Sequence, residues 1–381
     1  MHLVDTTLFY SPTSGGVRRY LNAKHAWLQG QENWQHSLLV PGDVTLLERG
    51  GTSSIAGAIV PGTFNYRLPL APRRWRRMLE QLEPDLIEAG DAFHPAWCAV
   101  NVAARRGIPS VAFFHSHLPR LVGARCGRLI GRGAARYLRW LYERFDLVMA
   151  PSHTMCDYLT DLGIRHVQRQ PLGVDTEIFH PARRHARLRR ELGLGARTRL
   201  LVYAGRFSGE KNIPVLLEAF SQLGNDYHLL LVGGGEQGKP AANVTCWPYR
   251  RDSAQLAAVL ASADALVHAG TAETFGLVIL EAMACGRPVV GVDAGAVREL
   301  IDDEVGIAAA CADAATFAQA VRDLYEHDLD VLGAAARQRV MSHYSWPQTL
   351  RRQLDTYAAM LGVRGALMPA RERVEPLNLT P

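Results

Sequence analysis

Short apolar runs recur along the chain, separated by stretches in which apolar positions fall three and four residues apart. The runs cover residues 37–40, 86–89, 111–114, 147–150, 200–204, 228–232, 265–268 and 288–292, and a further strand-like start covers 3–9. Apolarity maintained over so short a length predicts strands covered on both faces. Alternation with helical stretches predicts parallel sheets with crossover helices, an α/β architecture. The pattern is interrupted once. Pro171-Leu172-Gly173-Val174-Asp175 is followed by Phe179-His180-Pro181 and a charged segment, and the β/α alternation restarts at Leu200. This seam predicts two doubly wound, Rossmann-like domains, over residues 1–180 and 181–345, facing across a cleft at the carboxyl ends of their strands. The stretch 363–381 shows no periodicity and is expected to be an extended tail.

Composition changes this picture little. The 381 residues are 48% hydrophobic and 21% charged, as in a soluble globular protein. The N-terminus lacks the basic and apolar regions of a signal peptide, and no run is long and apolar enough for a membrane span, so a cytoplasmic protein is expected. The six cysteines are widely spaced, as free thiols are. Charge adds more. Seven arginines lie between Arg120 and Arg144 against one acid, Glu143, and apolar residues such as Leu121, Leu129, Ile130, Leu138, Trp140 and Leu141 interleave with them. Arg73, Arg74, Arg76 and Arg77 form a second cluster. Such patches attract phosphates on lipids or nucleic acid.

Candidate chemistry collects where strands end. Gly205-Arg206-Phe207-Ser208-Gly209-Glu210-Lys211-Asn212 follows one strand and precedes a helix. A flat guanidinium, a point-charged ammonium and backbone N–H groups suit a diphosphate, although two surface cations would read the same way. Glu273-Thr274-Phe275-Gly276-Leu277 opens the next helix, and Gly276 allows close approach of a ligand. Glu273 can accept from sugar hydroxyls or complement the helix dipole. Glu281 shares a helical face with Leu277, Val278, Ala284 and Cys285, so it is a carboxylate on an apolar face and needs donors, either two ribose hydroxyls or a structural arginine. Gly15-Gly16 opens the first helix, His115 ends the strand at 111–114, and Val232-Gly233-Gly234-Gly235-Glu236 is a glycine turn. His115 and His117 lack further metal-ligand partners, and the single Asp-x-Asp, at Asp328 and Asp330, lies in a polar context away from the strand ends. No metal is therefore expected.

Together these residues resemble the retaining GT-B glycosyltransferases of family 4 (glycosyl transferases group 1), and the likeness to mannosyltransferases within it is general. The resemblance rests on Gly15-Gly16, His115, Gly173-Val174-Asp175 with Phe179-His180-Pro181, Gly205-Arg206 with Lys211-Asn212, the glycines at 233–235, and Glu273-x7-Glu281, in family order. His343-Tyr344-Ser345-Trp346 with Tyr357 resembles the family's last helix, placed at 346–362, which packs back on the first domain. Leu172 departs from the asparagine common there.

The resemblance implies roles. Arg206 and Lys211 hold the donor diphosphate and stabilise the leaving group. Glu281 binds the ribose. Glu273, with Thr274 and the N–H groups around Phe275, Gly276 and Leu277, holds the transferred sugar. Gly16 lies under the phosphates and His115 near the reacting carbon. Tyr249 and Arg250 are candidates for the base pocket, and Gly233 for the wall beside it. The implied reaction moves a hexose from a nucleotide diphosphate sugar, GDP-mannose favoured over a UDP-hexose, to a hydroxyl of a lipid-linked or surface-polysaccharide acceptor. Configuration is retained, and no cofactor or metal takes part, because cationic side chains replace the metal. The basic segment at 120–144 implies attachment to the inner face of the plasma membrane. Two other readings compete. Sugar-nucleotide 2-epimerases share the architecture, but the paired glutamates with Arg206 and Lys211 favour transfer. A nucleic-acid-binding protein would use the arginine patches, but no such motif or aromatic platform accompanies them, so no nucleic-acid partner is expected.

Overall fold

The computed structural model describes residues 1–11, 15–61, 65–235, 241–250 and 252–363. Pro12, Thr13 and Ser14 of the first glycine-rich loop, Glu236, and the expected tail from residue 364 lie outside the described residues. The chain divides into two compact units. One holds Met1–Pro151, Met155–Gln170 and the last helix from Leu350; the other holds Ser152–Thr154 and Pro171–Thr349. The string at 171–175 belongs to the second unit by its bonds: Val174 N–H donates to Tyr344 O at 2.8 Å and Trp346 N–H donates to Val174 O at 3.2 Å.

The first unit contains β1 (His2–Thr6), β2 (Gln35–Gly42), β3 (Thr52–Ala56), the small antiparallel pair β4 (Ala58–Ile59) and β5 (Arg67–Leu68), then β6 (Leu86–Ala89), β7 (Ser110–Phe113), β8 (Leu147–Ala150) and β9 (Val167–Arg169). Seven of these form a parallel sheet in the order β3-β2-β1-β6-β7-β8-β9. The second unit contains β10 (Arg199–Phe207), β11 (Tyr227–Gly235), β12 (Val244–Pro248), β13 (Ala265–His268), β14 (Val289–Val292) and β15 (Gly306–Ala309). They form a six-stranded parallel sheet in the order β12-β11-β10-β13-β14-β15. The expected α/β class with two parallel sheets is therefore observed.

The alternation of short apolar strands and amphipathic helices explains both sheets. Each central strand buries both faces, and a helix must return the chain for a parallel partner. Trp75, Phe114 and Phe145 anchor the first core, while Tyr203, Phe220 and Phe317 anchor the second. Each such side chain contributes on the order of 1.5–3 kcal/mol by leaving water. Two polar side chains of the first core are bonded in place: Trp75 Nε1–H donates to Thr6 Oγ1 at 2.7 Å, and Asp91 accepts from Thr7 Oγ1 at 2.9 Å and from Phe93 N–H at 2.8 Å.

Strand order reverses in each sheet, between β1 and β6 and between β10 and β13. Loops leaving the two strands at such a point diverge and leave a crevice, the usual ligand position in open α/β sheets.

Candidate active site

The second reversal point gathers most of the predicted residues. Beyond β10 the chain makes a tight turn at Gly209–Lys211, and Asn212 adopts the left-handed conformation at φ 52°. Asn212 Nδ2–H donates to Ala269 O at 2.9 Å, tying this loop to the one beyond β13. Lys211 is thereby brought to Glu273: its ammonium bonds Glu273 Oε1, and the two side chains are 18% and 14% exposed. His268, the last residue of β13 and buried, reaches the same oxygen through Nε2 at 2.9 Å. Burial works against ionisation of Glu273. The Lys211 cation and the His268 hydrogen bond outweigh it and hold this carboxyl well below the usual carboxylate range. Backbone contacts also fix the residue, since Ala296 N–H donates to Glu273 O at 3.3 Å.

Arg206 is placed differently from the expectation. β10 runs on to Phe207, so Arg206 lies on extended strand, in register with Gly234, and not in the loop. The strand continues because Tyr203 OH donates to Arg206 O at 2.9 Å and β11 is long enough to pair with it. The guanidinium is 58% exposed, with Glu210 Oε1 at 3.7 Å.

Gly276 caps the helix Leu277–Ala284 with φ 100°, a conformation that costs an L side chain energy. Phe275 is buried against Tyr344, with ring centroids 6.1 Å apart, and Thr274 O accepts from Ser152 Oγ at 2.9 Å. The first turn at Leu277 is thus held from both sides. Glu281, on the same helix, is only 2% exposed, as its apolar face predicted. Burial and this carboxylate push the neighbouring Cys285 thiol up to about 12.

Other predicted residues stand apart from this centre. Gly233 pairs with Gly205 across β10 and β11, where an added Cβ would lie 1.8 Å from Gly205 O, so packing alone accounts for a glycine there. Tyr249 is 39% exposed and Arg250 lies 5.0 Å from the Trp247 ring; both follow β12, two strands from β10, a separation of roughly 10 Å by strand spacing. Asp328 caps the helix Leu329–His343 through Asp330 N–H at 2.9 Å and Val331 N–H at 3.2 Å, a structural use of the Asp-x-Asp.

The remaining candidates belong to the first unit. Gly15 and Gly16 are exposed at the start of the helix Gly16–Leu28. His115 follows β7 and stacks on Phe113 at 4.1 Å, with Tyr20 at 5.0 Å. Burial, with the Lys24 charge adding to it, lowers its pKa to about 3, so the imidazole is neutral at physiological pH. His117 caps the helix Leu118–Cys126 by accepting from Arg120 N–H at 3.2 Å. The first sheet's reversal point and the end of β7 border a small pocket lined by Phe9, Asp91, Phe93, Phe113, His115 and Tyr142.

The basic segment forms the helices Leu118–Cys126 and Arg128–Tyr142. Leu121, Leu129, Ile130 and Trp140 are exposed between the arginines. Leu138 and Leu141 are not part of that surface: both are fully buried, because they face the sheet one turn apart. No helix among the described residues is long and apolar enough to cross a membrane.

The residue that sequence reading missed is His268. In the sequence it reads only as the end of an apolar strand, and the available signal is its place, a histidine at the carboxyl end of a central strand.

The profile for glycosyltransferase family 4 matches residues 14–178, and that for glycosyl transferases group 1 matches residues 198–327. A GDP-mannose-dependent alpha-(1-6)-phosphatidylinositol dimannoside mannosyltransferase of Mycobacterium tuberculosis is 30% identical over 94% of this chain and 97% of its own. A GDP-mannose-dependent alpha-mannosyltransferase of Mycolicibacterium smegmatis is 31% identical over 78% of this chain and 80% of its own. Among solved structures, a sucrose-phosphate synthase of Thermosynechococcus elongatus superposes with a TM-score of 0.79 at 20% identity, over 95% of this chain and 99% of its own. The fold is GT-B. With paired matches across both units and a full-length relative at this identity, the chain belongs to the family 4, group 1 glycosyltransferases and is a glycosyltransferase.

Proposed function

We propose that this enzyme moves mannose from GDP-mannose to a hydroxyl of a lipid-linked or surface-polysaccharide acceptor, with the anomeric configuration kept. The observation that carries the reading is the Lys211–Glu273 pair at the reversal point of the second sheet, with Arg206 at the end of the neighbouring strand. Lys211 and Arg206 bind the diphosphate and stabilise the charge that develops as the glycosidic bond breaks. Two cations on one strand and its turn supply what a metal supplies elsewhere. Glu281 binds the ribose. Glu273 and the N–H groups at the start of the helix Leu277–Ala284 hold the mannose, with Thr274, Phe275 and Gly276 shaping that turn. Tyr249 and Arg250 border the base, Gly16 lies under the phosphates, and neutral His115 contacts the sugar near its reacting carbon. The acceptor oxygen attacks from the face that the diphosphate leaves, and the departing phosphate takes its proton, so no side chain is assigned as base.

GDP-mannose is favoured because the relatives above are named as GDP-mannose-dependent. Calorimetric titration with GDP, UDP and ADP and their sugars tests the donor. GDP and GDP-mannose are expected to bind at least tenfold tighter than the others, and preference for another base would overturn the assignment.

The exposed Leu121, Leu129, Ile130 and Trp140 among arginines support a peripheral site on an anionic membrane at the cytoplasmic face. Replacing Arg128, Arg132 and Arg136 by Glu is expected to abolish co-sedimentation with phosphatidylglycerol-containing liposomes. Unchanged binding would sink this part.

A further inference from the structure

His268 is 1% exposed, and both its ring nitrogens are engaged. Gly270 N–H donates to Nδ1 at 3.2 Å, so Nδ1 carries no proton. The ring is therefore neutral, with its hydrogen on Nε2, and Nε2–H donates to Glu273 Oε1 at 2.9 Å. The backbone is built for this contact: a Cβ on Gly270 would lie 2.6 Å from His268 Cε1, so only glycine lets that N–H come so close.

Glu273 Oε1 thus receives two donors, His268 and Lys211, while Oε2 takes no protein hydrogen bond among the described residues. The two donors are not equivalent. Lys211 is at the end of a flexible stem and partly exposed, so an incoming diphosphate competes with Glu273 for its ammonium. His268 ends a central strand and is fixed by the backbone, so no anion can draw it away. A carboxylate left without Lys211 would otherwise turn toward the diphosphate's other cation or into water.

We infer that His268 is a positioning residue for the transfer reaction: it keeps the Glu273 carboxylate in place, with Oε2 open to a hydroxyl of the donor hexose, when Lys211 turns to the diphosphate. The inference rests on the assignment of Glu273 to the donor sugar made above. It adds a residue that acts through Glu273 without touching the substrate.

The split between GDP and GDP-mannose affinity, measured by calorimetry on the full chain, isolates this role, since only the sugar meets Glu273. His268→Leu is expected to weaken GDP-mannose about tenfold and leave GDP unchanged, the loss of one charge-assisted hydrogen bond's positioning. His268→Gln, which retains an N–H at similar reach, is expected to restore most of the loss. The double variant His268→Leu with Glu273→Gln should be no weaker than Glu273→Gln alone. Imidazole ¹⁵N spectra give a readout that needs no ligand: a neutral ring protonated on Nε2, with a resonance that moves in Glu273→Gln. Equal losses for GDP and GDP-mannose, multiplicative losses in the double variant, or a proton on Nδ1 would each overturn the inference. If the wild type prefers GDP-mannose and His268→Leu keeps the same ratio of GDP-mannose to GDP affinity, the inference alone falls. If the wild type binds neither nucleotide, the functional reading falls and takes the inference with it.

Discussion

Each unit contains a carboxylate set between lysine and histidine, and the two clusters differ in reach. In the first unit Lys24 Nζ lies 2.9 Å from Asp5 Oδ2 and 2.6 Å from Glu88 Oε2. His36 Nε2 approaches Asp5 Oδ2 at 2.9 Å, Tyr20 OH donates to Glu88 Oε1 at 2.8 Å, Gln353 Nε2–H donates to Glu88 Oε2 at 3.1 Å, and Tyr357 OH bonds the same oxygen. None of these residues is more than 4% exposed. The members come from β1, β2, β6 and two helices, so the cluster holds secondary structure together. Burial and the nearby Asp5 charge raise the Glu88 pKa, whereas Lys24 and His36 overcome burial and lower that of Asp5. In the second unit the same residue types sit at the ends of strands, with Lys211 and Glu273 partly exposed. Composition alone does not separate a scaffold from a site. Access to solvent and place on the sheet do.

The largest test of that contrast is Lys24→Met. Two buried carboxylates lose their cation, and unfolding in urea should show a loss of about 3–5 kcal/mol. Lys211→Met is expected to cost clearly less stability than Lys24→Met, since both side chains of its pair keep some contact with water and His268 still donates to Glu273, yet to weaken GDP between tenfold and a hundredfold through the lost charge-assisted contact. Similar stability losses in the two variants would erase the distinction. Glu281→Gln keeps shape and burial and should weaken GDP about tenfold with little change in unfolding. The smallest effect concerns His115. Its pKa in the fold is about 3 against 6.5 for an ordinary histidine, so it binds protons more readily unfolded. Its contribution to stability is complete above about pH 6.5 and is lost as pH falls toward 3. Between pH 6.5 and 8 its NMR signals should not titrate, and an inflection there would mean that the ring is open to water.

The same logic of burial decided what the sequence made legible. The strands inside both sheets announced themselves as apolar runs, and β6, β8 and β13 have the expected bounds. Within the two parallel sheets, the four strands absent from that reading, β3, β9, β12 and β15, are the four edges. An edge strand is only partly covered and needs no continuous apolar run, and Thr52–Ala56 and Gly306–Ala309 each carry a single isoleucine among small and polar residues. Lys211, Glu273 and Glu281 were legible because a charged residue beside a strand end or on an apolar helix face stands out against its surroundings. His268 did not, since it completes an apolar run and reads as its last member. Arg206 was identified as a candidate but placed in a loop, because nothing in its own residue type reveals that β11 extends to pair with it.

The helix Trp346–Val363 begins on bonds to Val174 and, two and three turns later, delivers Gln353 and Tyr357 to Glu88. A fragment ending at the seam would therefore expose a lysine and two acids to water and lack the lid that seals them. Anyone wishing to make the amino-terminal half by itself must supply those last turns too, grafted behind residue 170 or added as a free peptide, and their rescue of its folding would be the measure of success.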